Sequence, residues 1–430
     1  MTMGVLLFVS LLGIIMLGVP ICFALGVSVL LGLLTQGITP QYTLISQRMV
    51  SGLDSFTLMA IPFFILAGNL MDSGGISSRL VAFIKILMRK VPAASAAITT
   101  VASAFFGAIS GSSPATVAAI GGIMIPNMLK EGYEREDAAA IAGASGFLGV
   151  IIPPSIPMVT YAVVAGVSVS TMFMAGIIPG VLLAMVMVLV SEFKYHKVEK
   201  ISQERLTIKE FWNTFVDAIF ALGMPLIILG GIYGGVFTPT EAAAVACVYS
   251  LVIAIYVYKD IGWTDVPGIL AKSAKSSAAV LVIIGFASSF AWLMTSAGVP
   301  GIIAQGILSF TNRFVIFLLI NLFLLFLGCF METQSIILIV TPILLPIANS
   351  FGMPPIALGI IIVVNTGIGM ITPPMAPNIY VANEIAKTNN VGKASLKVLP
   401  YLFACVLVLL LITYIPDIQM WLPRALGMTP

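Results

Sequence analysis

Val150-Ile151-Ile152-Pro153-Pro154 and, 220 residues later, Met370-Ile371-Thr372-Pro373-Pro374 are the two stretches whose reading decides the fold. Each sets a proline pair inside a long apolar run. Proline lacks the backbone donor and clashes with the preceding turn, so each stretch predicts a helix broken in its middle. Other landmarks recur near the same offset and in the same order. Pro126 and Pro346 lie 220 residues apart, Pro179 and Pro400 221, Pro20 and Pro239 219, and Gly74 and Gly298 224. Among 25 prolines one coincidence means little, but a series in register predicts two copies of one plan. The copies run over about residues 1–195 and 215–430, joined by a cytoplasmic amphipathic linker at 196–214.

Composition says where such a chain resides. With 60% hydrophobic and only 9% charged residues, and a mean hydropathy of +1.12, it lies far from soluble proteins, in which about a quarter of residues are charged. An all-α integral membrane protein is the expectation. The net charge of +3 is small and scattered, which gives no footing for a nucleic-acid partner. Cys22, Cys247, Cys329 and Cys405 each stand alone in apolar stretches and read as packing residues, not as a disulfide frame or zinc site. The single histidine, His196, falls in the charged linker. That excludes haem-type histidine ligation, a zinc site built on two histidines, and a Ser/His hydrolase with its base at membrane depth. Met1 to Gly18 has neither a basic start nor a clear cleavage site, so it is read as a retained membrane helix.

Both copies parse alike. The first has apolar helices at about 3–18, 20–35 and 56–73, with a more polar stretch at 38–54. A small-residue hairpin follows over about 94–129, turning at Ser110-Gly111-Ser112-Ser113. Next come a broken helix over about 137–172 and a last span at 174–193. The second copy has helices near 217–237, 240–258 and 277–296, then a hairpin over about 314–349 turning at Glu332-Thr333-Gln334-Ser335. A broken helix over about 355–386 and a span near 397–416 complete it. If each hairpin enters and leaves on one side, each copy crosses five times, and an odd count inverts the second copy relative to the first. The distribution of lysine and arginine agrees with this scheme. Lys85, Arg89, Lys90, Lys130, Arg135, the linker lysines, Lys259, Lys272, Lys275, Lys387, Lys393 and Lys397 fall on loops placed inside, and Arg48, Arg313 and Arg424 are the main ones outside. Both termini are then external. Gln203 to Phe215 and Gly262 to Ser276 read as interfacial helices along the membrane.

Irregular backbone at membrane depth survives only where protein or a water-filled cavity satisfies it, which makes the four breaks the candidate site. Ser112 and Ser113 ahead of Pro114 can cap a helix whose first N–H groups stay free; Thr372 before its proline pair and Thr333 before Gln334 offer the same arrangement. Such starts carry partial positive charge. The half-helices ending near Gly107–Ser110, Gly146–Gly149, Gly328–Met331 and Gly367–Gly369 leave carbonyls that suit a small cation. Paired hairpins and broken helices in inverted copies are the parts of a secondary transporter. Glu332 is an ionisable group at a tip that reaches membrane depth, where charge is costly, and it reads as functional or gating. Asn378, just beyond Pro377, is the best-placed asparagine for substrate; Asn365 and Asn383 are others, and Glu241 reads as a structural first-turn acid.

In Ser110-Gly111-Ser112-Ser113-Pro114-Ala115-Thr116, Gly149 to Ser155, Gly235-Val236-Phe237-Thr238-Pro239-Thr240-Glu241-Ala242 and Gly369 to Pro374 the chain resembles the large membrane subunit of tripartite ATP-independent periplasmic (TRAP) transporters. The resemblance spans essentially the whole chain, and an acidic sugar such as sialic acid, as in the sialic acid type, or a C4-dicarboxylate both suit it as substrate. It implies an elevator-type carrier in the bacterial inner membrane, whose transport domain slides against a scaffold and is driven by sodium. A small four-helix membrane subunit and a periplasmic binding protein that delivers organic acids are its implied partners. It also implies one sodium site at Gly107, Ser110, Gly149, Ile152 and Pro154, and a second at Gly328, Gly369, Thr372 and Met375. Most of these would act through backbone carbonyls, with hydroxyls from Ser110 and Thr372. Ser112, Ser113, Glu332, Thr333 and Asn378 are then the expected substrate contacts. The family often carries Asp where this chain has Glu332. A stand-alone sodium/dicarboxylate carrier or ion exchanger, a channel, and an intramembrane enzyme are the rival readings, and the last has no paired membrane carboxylates to work with.

Overall fold

The computed structural model describes residues 2–35, 42–91, 93–198, 207–299, 312–373, 375–388 and 390–428. Pro374 of the second proline pair, the linker residues 199–206 and Pro430 lie outside the described residues. Within them the chain is helical. The first half contains α1 (Thr2–Met16), α2 (Ile21–Thr35), α3 (Tyr42–Leu53), α4 (Ala60–Ser73), α5 (Ile76–Met88), α6 (Ala94–Ser110), α7 (Ser113–Lys130), α8 (Arg135–Gly146), α9 (Ile156–Ala165) and α10 (Val169–Tyr195). The second half contains α11 (Ile208–Tyr233), α12 (Pro239–Val252), α13 (Val266–Ser296), α14 (Arg313–Phe330), α15 (Thr333–Ser350), α16 (Pro355–Gly369), α17 (Pro377–Ala386), α18 (Val391–Tyr414) and α19 (Asp417–Ala425). Eight helices among the described residues are long and apolar enough to cross a membrane, two of them the hairpin arms α14 and α15.

Local chemistry sets the boundaries. Thr207 and Thr238 each form a reciprocal capping box, with Glu210 and Glu241 respectively, so Glu241 is the structural acid expected of it. Gly166, at φ 67°, ends α9 in the left-handed region, and the Ser168 side chain caps α10 by accepting from the Thr171 N–H. The broken helix expected to run to 172 therefore stops at Ala165, and the following span begins at Val169. The interfacial helices are also corrected. Gly262 to Ser276 is not a separate arm, because α13 runs unbroken from Val266 to Ser296: its breakers, Pro267 and Gly268, both sit in the first turn. In the same way, the described part of Gln203 to Phe215 continues as α11, since neither glycine nor proline occurs in that helix before Gly223. Helices α5 and α19 were not anticipated.

Two sets of helices pack separately and then against each other. The hairpin arms α6 and α7 hold α8 and the short 3-10 turn Phe147–Val150, while α14 and α15 hold α16; α8 also packs on α17 and α18, which joins the halves. Helices α2, α3 and α4 gather on α13, with α12 on α4 and α11 on α5. The sets meet where α6 lies on α4 and α5, and where α13 lies on α15.

Buried polar pairs recur at the repeat offset. Thr100 on α6 shares a 3.0 Å hydrogen bond with Ser145 on α8, and Asn365 on α16 donates to the Asn321 side chain on α14 at 2.7 Å. All four are buried, so each pair specifies which face of the arm meets the interrupted helix. At the outer end of α8, buried Asp137 accepts from Tyr195 at 2.6 Å and Lys397 at 3.0 Å, with Lys194 at 3.7 Å; this fastens α8 to α10 and α18.

Candidate functional site

The first hairpin tip is built by small residues. Gly111, at φ 59°, closes α6, its N–H donating to the Gly107 carbonyl at 2.9 Å. Ser112 then adopts an extended conformation at the start of α7 without a side-chain capping bond, so the first N–H groups of α7 keep no side-chain partner there. The Thr116 hydroxyl donates to the Ser112 carbonyl at 2.7 Å and lies 3.1 Å from the Ser110 hydroxyl, which fixes the tip.

Gly107 backs directly onto the first break. A Cβ there would stand 2.5 Å from Gly149 Cα and 3.2 Å from the Leu148 carbonyl oxygen. Pro154 faces the tip, its carbonyl oxygen 3.5 Å from where a Gly111 Cβ would be, and the Ser155 hydroxyl holds the Val150 carbonyl at 2.5 Å. Gly107, Ser110, Gly149 and Pro154 thus share one seam, while the Ile152 side chain turns away toward Gly180 on α10. Thr116 belongs to this seam and was missed; it stood four residues after Ser112, one helical turn on.

The second seam repeats the close approach. A Cβ on Gly328 would stand 2.9 Å from Gly369 Cα and 3.3 Å from the Thr366 carbonyl oxygen. Thr372 closes the last turn of α16, its N–H on the Gly369 carbonyl at 2.9 Å and its hydroxyl on the Ile368 carbonyl at 2.8 Å. It does not cap the next half-helix, which starts four residues later from Ala376. The Met375 side chain is exposed. Among the described residues no group of three or more His, Cys, Asp or Glu comes together, and the oxygens that line the two seams are backbone carbonyls and the hydroxyls of Ser110, Thr116 and Thr372. That donor set fits a hard monovalent ion such as sodium.

Both tips open into one cavity of 630 Å³. Ser110 to Pro114 contribute one wall and Glu332 to Gln334 another; α4 adds Asn69 and Asp72, and α13 adds Lys272 and Ser276. Glu332 is exposed to this space and occupies the position just before α15, again without a capping bond from its side chain. Thr333, the first residue of α15, is buried with its hydroxyl 3.6 Å from the Met370 sulfur, so it does not cap the helix. Asn378 lies behind the wall: fully buried, it donates to the Ser113 hydroxyl at 2.7 Å and the Gly143 carbonyl at 3.3 Å. It holds the second interrupted helix to the first hairpin. Asp72 had served only as a repeat landmark and Lys272 as a loop marker; no local pattern places either in a cavity formed by distant segments.

Two uncapped helix starts face one cavity among helices long and apolar enough to cross a membrane, and a solved transporter shares the fold. The crystal structure of the Alcanivorax borkumensis YdaH transporter matches with a TM-score of 0.65 over 92% of this chain and 90% of that one, at 16% identity. Residues 8–418 match the family described as tripartite ATP-independent periplasmic transporter, DctM component, and the chain belongs to it. It is the large permease subunit of a TRAP transporter: a multi-pass membrane transporter and not an enzyme. The C4-dicarboxylate TRAP transporter large permease protein DctM of Rhodobacter capsulatus is 38% identical, covering 99% of this chain and all of that one (100%). The isethionate TRAP transporter permease protein DctMQ of Oleidesulfovibrio alaskensis is 41% identical over 95% of this chain and 64% of its own length. The sialic acid TRAP transporter large permease protein SiaM of Vibrio cholerae is 34% identical over 96% of both.

Proposed function

We propose that this chain carries an organic acid, either an acidic sugar such as sialic acid or a C4-dicarboxylate, across the bacterial inner membrane by sodium symport. The observation that carries the reading is the pair of uncapped helix starts, at α7 and α15, facing one cavity. Free N–H groups at a helix start attract a carboxylate without a fixed cation at the tip. Sodium bound in the two glycine seams would add positive field beside them and couple the acid to the ion gradient. If two sodium ions accompany a monoanion, net charge moves inward, gaining roughly 2.3 kcal/mol per 100 mV.

The two copies have inverted topology in this reading, with both termini periplasmic. Hairpins, interrupted helices, α10 and α18 form the moving body of an elevator, and α2–α4 with α11–α13 form its scaffold. Its partners are a small four-helix membrane subunit, as the fused name DctMQ of one relative supports, and a periplasmic binding protein. The test is reconstitution in proteoliposomes with the small subunit and the binding protein supplied outside. Uptake should require both. Uptake by this chain alone would support the stand-alone carrier, and single-channel currents in a bilayer would support a channel.

A further inference from the structure

The cavity wall opposite the hairpin tips carries a charge pattern that the helix starts do not explain. Among the described lining residues there is one cationic side chain, Lys272 on α13, with the carboxylates Asp72 on α4 and Glu332 at the second tip. Lys272 is exposed to this space and forms no salt bridge among the described residues. Asp72 acts on it electrostatically from the neighbouring helix but not as a contact ion pair. Lys272 also sits inside a continuous helix, past its first turn, in the polar N-terminal part of α13 that precedes its apolar run. As the one ammonium group lining this cavity among the described residues, it is placed to attract an anion that enters. The neighbouring α13 residues in the cavity, Ser276 and Ala279, are small and leave room beside the ammonium.

We propose that Lys272 is the cationic contact for the substrate's carboxylate, reached across the cavity from the hairpin tips. The inference rests on the organic-acid reading above and deepens it. The helix starts and Lys272 then bracket the anion from two bodies. Asp72 and Glu332 remain as acceptors for hydroxyl donors of the substrate and limit how many negative charges the cavity takes.

The test uses the full complex in proteoliposomes with whichever acid the wild type takes up. K272Q should raise KM about tenfold or more with a much smaller change in kcat, as expected on losing a charge-assisted contact. K275Q, on the same helix but off the cavity, should leave both unchanged. In a C22S background, K272C should show the same raised KM. It should recover toward wild type after reaction with aminoethyl methanethiosulfonate, which restores an ammonium, and not after the neutral methyl reagent. An unchanged KM in K272Q, or equal recovery with both reagents, would overturn the proposal. Recovery of KM in D72N/K272Q would overturn it too, because Lys272 would then serve only to neutralise Asp72. Absence of acid uptake by the wild type would instead refute the organic-acid reading itself.

Discussion

Alanine at Gly107 puts the seam account under the sharpest stress. The added Cβ would stand 2.5 Å from Gly149 Cα and 3.0 Å from its nitrogen, and both atoms are backbone, so no flexible side chain can swing aside. Overpacking of this kind costs about 1–3 kcal/mol, and more where nothing can yield. If that cost falls on the closed seam, the sodium half-saturation for uptake should rise roughly five- to 150-fold. G328A offers a graded comparison: its Cβ would meet Gly369 Cα at 2.9 Å, so the effect should have the same sign and be smaller. G122A is the control. Its Cβ would meet nothing within 4 Å, and alanine favours a helix by about 1 kcal/mol, so its sodium dependence should match wild type and its stability should rise slightly. The assay is initial-rate uptake against sodium concentration, with thermal unfolding of each purified variant in parallel. If G107A and G122A gave the same sodium half-saturation, the seam would not be the ion's seat and the reasoning would fail.

Further outcomes follow from particular contacts. T116A removes the hydroxyl that holds the Ser112 carbonyl and meets Ser110; it should cost about 1 kcal/mol in stability and weaken sodium dependence, and T116S should largely restore both. N365L takes the donor from the buried Asn321 side-chain oxygen, whose amide still reaches Thr413 at 3.1 Å, and should destabilise by about 1–3 kcal/mol in a detergent melt, while N321L/N365L should cost less than the sum of the single variants. D137N should lower the melting temperature more than any single substitution of an exposed charge, because it leaves Lys397 without its 3.0 Å partner in a mostly buried cluster. A hydrogen bond from Lys393, with Lys397 nearby, holds the Glu134 carboxyl below its usual range. Its stabilisation is therefore present above the ordinary glutamate value of about 4.3 and is lost as pH falls through the lower folded value. E134Q should flatten that acid limb in a plot of melting temperature against pH.

The breaks were legible in the sequence because proline and glycine act locally. The proline pairs that begin at Pro153 and Pro373 mark the two interruptions, whereas the single prolines Pro126, Pro179, Pro225 and Pro400 sit inside continuous helices; the tips at Ser110–Ser113 and Glu332–Ser335 could be located from small and polar residues in apolar runs. The continuity of α11 and α13 from their polar starts into the apolar spans was not legible, because a change from polar to apolar composition looks like a boundary but does not break a helix when the residues between are helix formers. The α9–α10 boundary turned on two residues, Gly166 and Ser168, whose capping roles depend on backbone geometry. The cavity was the least legible part. Asp72, Lys272 and Glu332 meet there from segments far apart in the chain, and no periodicity within any one segment records that meeting. Asn378 shows the converse: it had the right residue type beside the right break, but the fold spends it on Ser113.

Sodium coupling at the glycine seams is the central claim, and uptake under an imposed ion gradient tests it most directly. In proteoliposomes holding the complete complex, with binding protein and labelled acid outside, an inward sodium gradient should drive accumulation above equilibrium, and an inside-negative potential should increase it. Accumulation that persists when sodium is replaced by choline on both sides would contradict the account.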